Sequence, residues 1–65
     1  MDSRTIIRLI EAEGWEFRSQ KGSHAQFKHP TRPGRTTVPH PLKDVTKKTI
    51  ISIEKQSGVR LRRRK

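Results

Sequence analysis

Trp15-Glu16-Phe17-Arg18-Ser19-Gln20-Lys21-Gly22-Ser23-His24-Ala25-Gln26-Phe27-Lys28 reads as two extended segments folded on one another about a glycine turn. Trp15 and Phe17 stand two apart with Glu16 and Arg18 between them, the alternation of a strand with one buried face. Ala25 and Phe27 repeat it against His24, Gln26 and Lys28. Ser19 to Ser23, which contains Lys21-Gly22, is the hairpin connection. With Phe27 toward a core, His24, Gln26 and Lys28 share the opposite, open face of the sheet. Trp15 and Phe17 are both expected to pack against a helix.

Upstream, Asp2 or Ser3 caps a first helix whose Ile6, Ile7, Leu9 and Ile10 form an apolar stripe, with Arg4, Arg8, Glu11 and Glu13 outward and Gly14 as the stop. Downstream, Pro30, Pro33 and Gly34 mark a second turn carrying Arg32 and Arg35. Thr36-Thr37-Val38 supplies a short third strand, which Pro39 and Pro41 end. Asp44 to Thr46 offers N-caps for a second helix with Ile50, Ile51 and Ile53 inward and Gly58 at its end. Three hairpin-linked strands covered on one face by two helices predict an α+β fold, a two-layer sandwich of order α-β-β-β-α with a three-stranded antiparallel sheet. Residues 1–58 are expected to form the single domain. Residues 59–65, Val59-Arg60-Leu61-Arg62-Arg63-Arg64-Lys65, lack apolar periodicity and predict a mobile basic tail.

A chain of 65 residues buries only about 60% of its unfolded surface, which excludes a second core and argues against a deep substrate cavity. It has no cysteine, hence neither disulfides nor a thiolate zinc site, and His24, His29 and His40 do not follow a close-spaced metal motif. No apolar run approaches a membrane span and the N-terminus lacks the order of a signal peptide, so a cytoplasmic location is expected. The net charge of +10 is unevenly spread. Residues 1–17 carry two basic against four acidic side chains, a net of −2, whereas residues 18–65 carry fourteen against two, a net of +12. Such a field concentrates polyanions and predicts nucleic-acid contact, with an acidic protein partner compatible with it.

His24 follows the glycine turn among cationic residues. An unperturbed imidazole pKa of about 6.5 populates both protonation states near neutrality, as general acid or base catalysis requires, and the flanking cations attract a polyanion. Phosphodiester chemistry on nucleic acid is the reaction class this combination favours. Ser23 has no adjacent acidic residue or second histidine to make it a nucleophile, and reads as a turn cap. Gly22 allows a positive φ and close approach of the backbone to a phosphate. Lys21, Lys28, Arg32 and Arg35 suit phosphate binding or stabilisation of the developing phosphorane charge. Lys47 and Lys48 lie in the first turn of the second helix, against its dipole, a placement that stability does not explain. His29 and His40 each precede proline and belong near strand ends, where either would assist His24 if hairpin pairing brought it close. Trp15 and Phe27 are more needed in the core than for base stacking.

Taken in order, Ile10 with Gly14-Trp15, Lys21-Gly22-Ser23-His24, Phe27-Lys28-His29-Pro30, Thr37-Val38-Pro39-His40-Pro41 and Lys55-Gln56-Ser57-Gly58 resemble the HicA-type toxins of toxin-antitoxin pairs over nearly the whole chain. The resemblance implies a double-stranded-RNA-binding-domain-like fold and an mRNA interferase that cleaves RNA independently of the ribosome. It implies His24, in the Gly-Ser-His motif, as the catalytic residue. A HicB-type antitoxin that covers the active surface is implied as partner. Double-stranded-RNA-binding domains grip phosphates with basic residues near the start of the second helix, which adds Lys47 and Lys48 to the RNA-contacting set of Lys21, Gly22, Ser23, Lys28, Arg32 and Arg35. The expected chemistry is metal-independent acid/base catalysis needing no cofactor. The competing expectations are a non-catalytic double-stranded-RNA-binding module and a DNA-binding or interaction protein working through its basic tail.

Overall fold

A computed structural model of the chain describes residues 1–62 and has the order α1 (Ser3–Ala12), β1 (Glu16–Lys21), β2 (His24–Lys28), β3 (Arg35–Pro39) and α2 (Lys47–Ser57). The sheet is antiparallel with strand order β1-β2-β3. Ile6 and Ile10 of α1 and Ile50 and Ile53 of α2 share one buried cluster with Ala25, Phe27 and Val38. Both helices therefore cover the same face of the sheet, as the alternation of β2 predicts.

Local chemistry accounts for the boundaries. Asp2 is the N-cap of α1, its Oδ1 accepting the Thr5 N–H at 2.9 Å, and the Thr5 side chain first, then this N–H, holds the Asp2 carboxyl below its ordinary range. Ser3, the other cap candidate, is instead buried beneath the helix. Thr46 caps α2 by accepting the Thr49 N–H. Gly58 ends that helix in the left-handed conformation, its N–H donating to Glu54 O. In the β1–β2 hairpin only Gly22 and Ser23 separate the paired residues Lys21 and His24. Gly22 has φ of 58° and Ser23 does not share the positive sign, the pattern of a type II′ turn with glycine leading.

One irregularity in the hairpin decides what faces where. Glu16 and Phe17 pair with Lys28 and Phe27, but Ser19 pairs with Gln26, so Arg18 is an extra residue in a β-bulge. Simple alternation from Phe17 would turn Lys21 toward the helices. The bulge shifts the parity by one, so that Ser19 and Lys21 join Gln26 and His24 on the open face while Gln20 pairs with Ala25 on the helix side.

Three expectations need correction. Phe17 does not pack on a helix: it is 53% exposed, because both helices lie over β3 at one edge of the sheet and leave β1, at the other edge, with every residue exposed. Phe17 makes only an edge-to-face contact with Phe27, at 5.8 Å between ring centres. Leu9 is exposed and Ile7 half-buried, since the stripe of α1 that meets the sheet runs through Ser3, Ile6 and Ile10. The segment after α2 is not a mobile arm over 59–62. Val59 and Leu61 are buried in the core, and Glu54 accepts the N–H groups of Leu61 and Arg62 at 2.8 and 2.9 Å and Arg62 Nε at 3.0 Å. Two apolar residues two apart are too few to register as a periodic pattern. Arg63, Arg64 and Lys65, the rest of the expected tail, lie outside the described residues.

Candidate functional site

The strands and helices sort the chain into two ends. At the hairpin end the His40 N–H donates to Ser23 O at 2.8 Å, the Ser3 N–H to Leu42 O at 2.8 Å and the Val45 N–H to Met1 O at 2.9 Å. The β1–β2 turn, the loop after β3 and the N-termini of both helices therefore meet there. At the opposite end lie the C-termini of the helices and the loop from Lys28 to Arg35.

His24 begins β2 at the hairpin end, exposed, with Lys21 and Pro39 directly across the two ladders. Its side chain has no hydrogen-bond partner among the described residues. The next open-face row is Ser19, Gln26 and Thr37, where the Thr37 hydroxyl donates to Gln26 Oε1 at 3.0 Å. The last row is Glu16, Lys28 and Arg35. Arg18, Ser19, Lys21, Gln26, Lys28 and Arg35 line a shallow depression on this face. Four cations around one neutral amide, with a single carboxylate in the far row, make a surface suited to a phosphodiester backbone. Gly22 lies at its tip with nothing within 4 Å of where a Cβ would stand, so the turn backbone is open to a ligand.

The remaining candidates separate. Lys47 and Lys48 are exposed at the start of α2, at the same end as the hairpin but in the helical layer. Arg32 belongs to the opposite end: its Nη1 donates to Ser57 O at 2.9 Å and its guanidinium lies over Gly58, where a Cβ would come within 2.5 Å of Nη2. It is a cation on the C-terminus of α2, where the helix dipole favours it. His29 is also placed there. Its Nδ1 accepts the Thr31 and Arg32 N–H groups at 3.1 and 3.2 Å, which leaves Nε2 as the protonated nitrogen donating to Glu13 O at 2.9 Å. The ring meets Trp15 edge-on at 5.3 Å and occupies the space that a side chain at Gly14 would need. His29 is thus far along β2 from His24. His40 is adjacent to His24 in backbone pairing, but its ring turns to α1, with Nδ1 2.7 Å from Ser3 Oγ.

Sequence reasoning missed Arg18 and Ser19 as members of the face, and Gln20 as a hairpin contact, since nothing in the residue types announces the bulge. The described residues contain no cluster of three or more His, Cys, Asp or Glu side chains able to hold a metal ion, and no helix among them is long and apolar enough to cross a membrane.

With that geometry in hand, residues 3–59 match the family model of the HicA toxin of bacterial toxin-antitoxin systems. The structure superposes on a chain of a solved structure described as the HicA3 and HicB3 toxin-antitoxin complex with a TM-score of 0.76 and 29% sequence identity, covering 95% of this chain and 100% of the other. No curated protein matches the sequence. The chain belongs to the HicA toxin family, the toxin half of toxin-antitoxin pairs.

Proposed function

We propose that the chain is a metal-independent endoribonuclease toxin in which His24 moves the proton and the open basic face holds the RNA, and that a HicB-type antitoxin neutralises it by covering that face. The observation that carries the reading is the contrast among the three histidines. His29 and His40 are hydrogen-bonded into the scaffold, whereas the His24 side chain has no partner among the described residues and stands across the ladder from Lys21, which lines the basic depression. The reaction joins the RNA 2′-oxygen to phosphorus and breaks the bond from phosphorus to the 5′-oxygen, leaving a 2′,3′-cyclic phosphate and a 5′-hydroxyl. His24 either takes the 2′-hydroxyl proton or supplies one to the departing 5′-oxygen. Lys21 and Lys28, with Gly22 and Ser23 in the turn, hold the phosphate, while Arg35 and the bulged Arg18 extend the cationic track along the strand. Lys47 and Lys48 contact RNA that passes the hairpin end. Arg32, tied to Ser57 O, contributes field more than contact. The same surface suits an acidic antitoxin, with fast and salt-sensitive association.

The test is cleavage of a long single-stranded RNA in excess chelator, at several pH values near neutrality, by the chain and by His24→Ala. One positioned acid or base contributes about 10²- to 10⁴-fold, so the variant is expected to lose that much rate while keeping RNA affinity and melting temperature. Equal cleavage by both proteins would remove His24 from the chemistry. Tight binding with cleavage by neither would make the chain a non-catalytic RNA-binding module.

A further inference from the structure

His24 makes no side-chain hydrogen bond among the described residues, so the placement of its ring rests on the backbone of a two-residue turn led by glycine. What holds that turn is a small network on the other side of the sheet. Gln20, turned helix-side by the bulge, donates from Nε2 to His40 O at 2.6 Å and to Gly22 O at 3.2 Å. The His40 N–H donates to Ser23 O at 2.8 Å, extending the β2–β3 ladder one step beyond the His24–Pro39 pair. The His40 ring is fixed in turn. Ser3 is 2% exposed, its Oγ accepts the Leu42 N–H at 2.9 Å, and its hydroxyl hydrogen is available to His40 Nδ1 at 2.7 Å. With Ser3 as donor the ring carries its own proton on Nε2, and it is held against α1.

We propose that His40 and Gln20 are positioning residues for His24: they clamp the Gly22–Ser23 turn to the loop after β3 and to the N-terminus of α1, and His40 takes no part in proton transfer. The proposal rests on the reading of His24 as the proton-transfer group. Alternation puts His24 on the open face and its neighbour Ser23, with the paired His40, on the helix side. The second histidine motif thus serves the first from behind the sheet, through four hydrogen bonds that run Ser3 to His40, His40 to Ser23, and Gln20 to both His40 and Gly22.

Asparagine separates positioning from proton transfer, because its Oδ1 stands where Nδ1 of histidine does and accepts from Ser3, yet it does not titrate near neutrality. The experiment compares the chain with His40→Asn, His40→Ala and Gln20→Ala in RNA cleavage, as kcat and KM across pH, and in amide hydrogen exchange of the hairpin. Misplacing a catalytic group by about 1 Å can cost about a hundredfold. His40→Ala and Gln20→Ala are expected to lose about tenfold to a hundredfold in kcat with KM little changed, and the His24 and residue-40 amides to exchange faster. His40→Asn is expected to recover most of the rate, the wild-type pH profile and the amide protection. Loss in His40→Asn equal to that in His40→Ala, with one limb of the pH profile gone, would make His40 a proton-transfer group and overturn the proposal. So would wild-type rates and protection in both Gln20→Ala and His40→Ala. If the unmodified chain cleaves no RNA, the ribonuclease reading fails while amide exchange still decides whether the clamp exists.

Discussion

The two ends of the molecule use similar residues to opposite effect. At the far end a histidine, a tryptophan, an arginine and two glycines with positive φ lock together: His29 on Glu13 O, Trp15 and Arg32 both on Ser57 O, and Gly14 and Gly58 leaving room for the His29 ring and the Arg32 guanidinium. At the hairpin end the side chains of His24 and Lys21 have no hydrogen-bond partner among the described residues, and open space surrounds the outer side of the turn at Gly22. The residue types do not distinguish the two. The difference lies in whether donors and acceptors already have partners, which is a property of the fold, and it separates a scaffold from a surface that waits for a ligand.

The sharpest way to break this comparison is at Trp15, 2% exposed and hydrogen-bonded to Ser57 O at 3.2 Å. Trp15→Ala is expected to cost about 3–5 kcal/mol, a large part of the stability of a small domain. Urea unfolding measures it, and a loss under about 1 kcal/mol would mean that the far end is not the scaffold. Gly58→Ala comes next. Its φ of 73° and the Arg32 guanidinium 2.5 Å from a new Cβ are expected to cost about 1–3 kcal/mol, read from the same unfolding curves. Gly22→Ala, with open space but the same sign of φ, is the matched control at the hairpin end.

Thr36, between the two ends on β3, is fully buried, and its hydroxyl has no hydrogen-bond partner among the described residues. Thr36→Val keeps the shape and removes the unsatisfied group. It is expected to raise stability by about 1 kcal/mol, a rise in Tm detectable by calorimetry. The smallest effect concerns Glu54, whose carboxyl is held below its ordinary value of 4.5 first by the Arg62 backbone N–H and then by that of Leu61. A depressed folded-state value stabilises above the unfolded value and is lost as pH falls through the folded one. Glu54→Gln should therefore lower Tm slightly at neutrality, where the carboxylate's contribution is fully present, and flatten the decline of Tm below pH 4.5, the two proteins converging in acid.

Much of this was readable from residues alone. The caps, the glycine stops and the alternation of Ala25 and Phe27 gave the element order and the face on which His24 stands, because each is a short-range signal. Long-range facts were not readable. Arg32 sits in a basic turn that suits phosphate, and only the meeting of that turn with the end of α2 engages it with Ser57 O. His29 and His40 share the same local sequence, histidine before proline, yet one is bonded to a helix C-terminal carbonyl and the other to a helix N-terminal serine. Phe17 looked like Trp15 because alternation says which way a side chain points. It does not say whether a helix extends far enough to cover it.

The extra residue at Arg18 works as a phase shift in the hairpin. Everything between it and the turn is read one step out of register with what precedes it, so that Phe17 faces the helices and Lys21 faces outward in the same strand. A substitution at position 18 changes one side chain. A deletion there would remove the bulge, letting Phe17 and Ser19 pair in succession with Phe27 and Gln26 and leaving Lys21 opposite His24 on the open face. The bulge residue is thus one whose loss would take a cation from the open face and leave the pairing on either side of it in place.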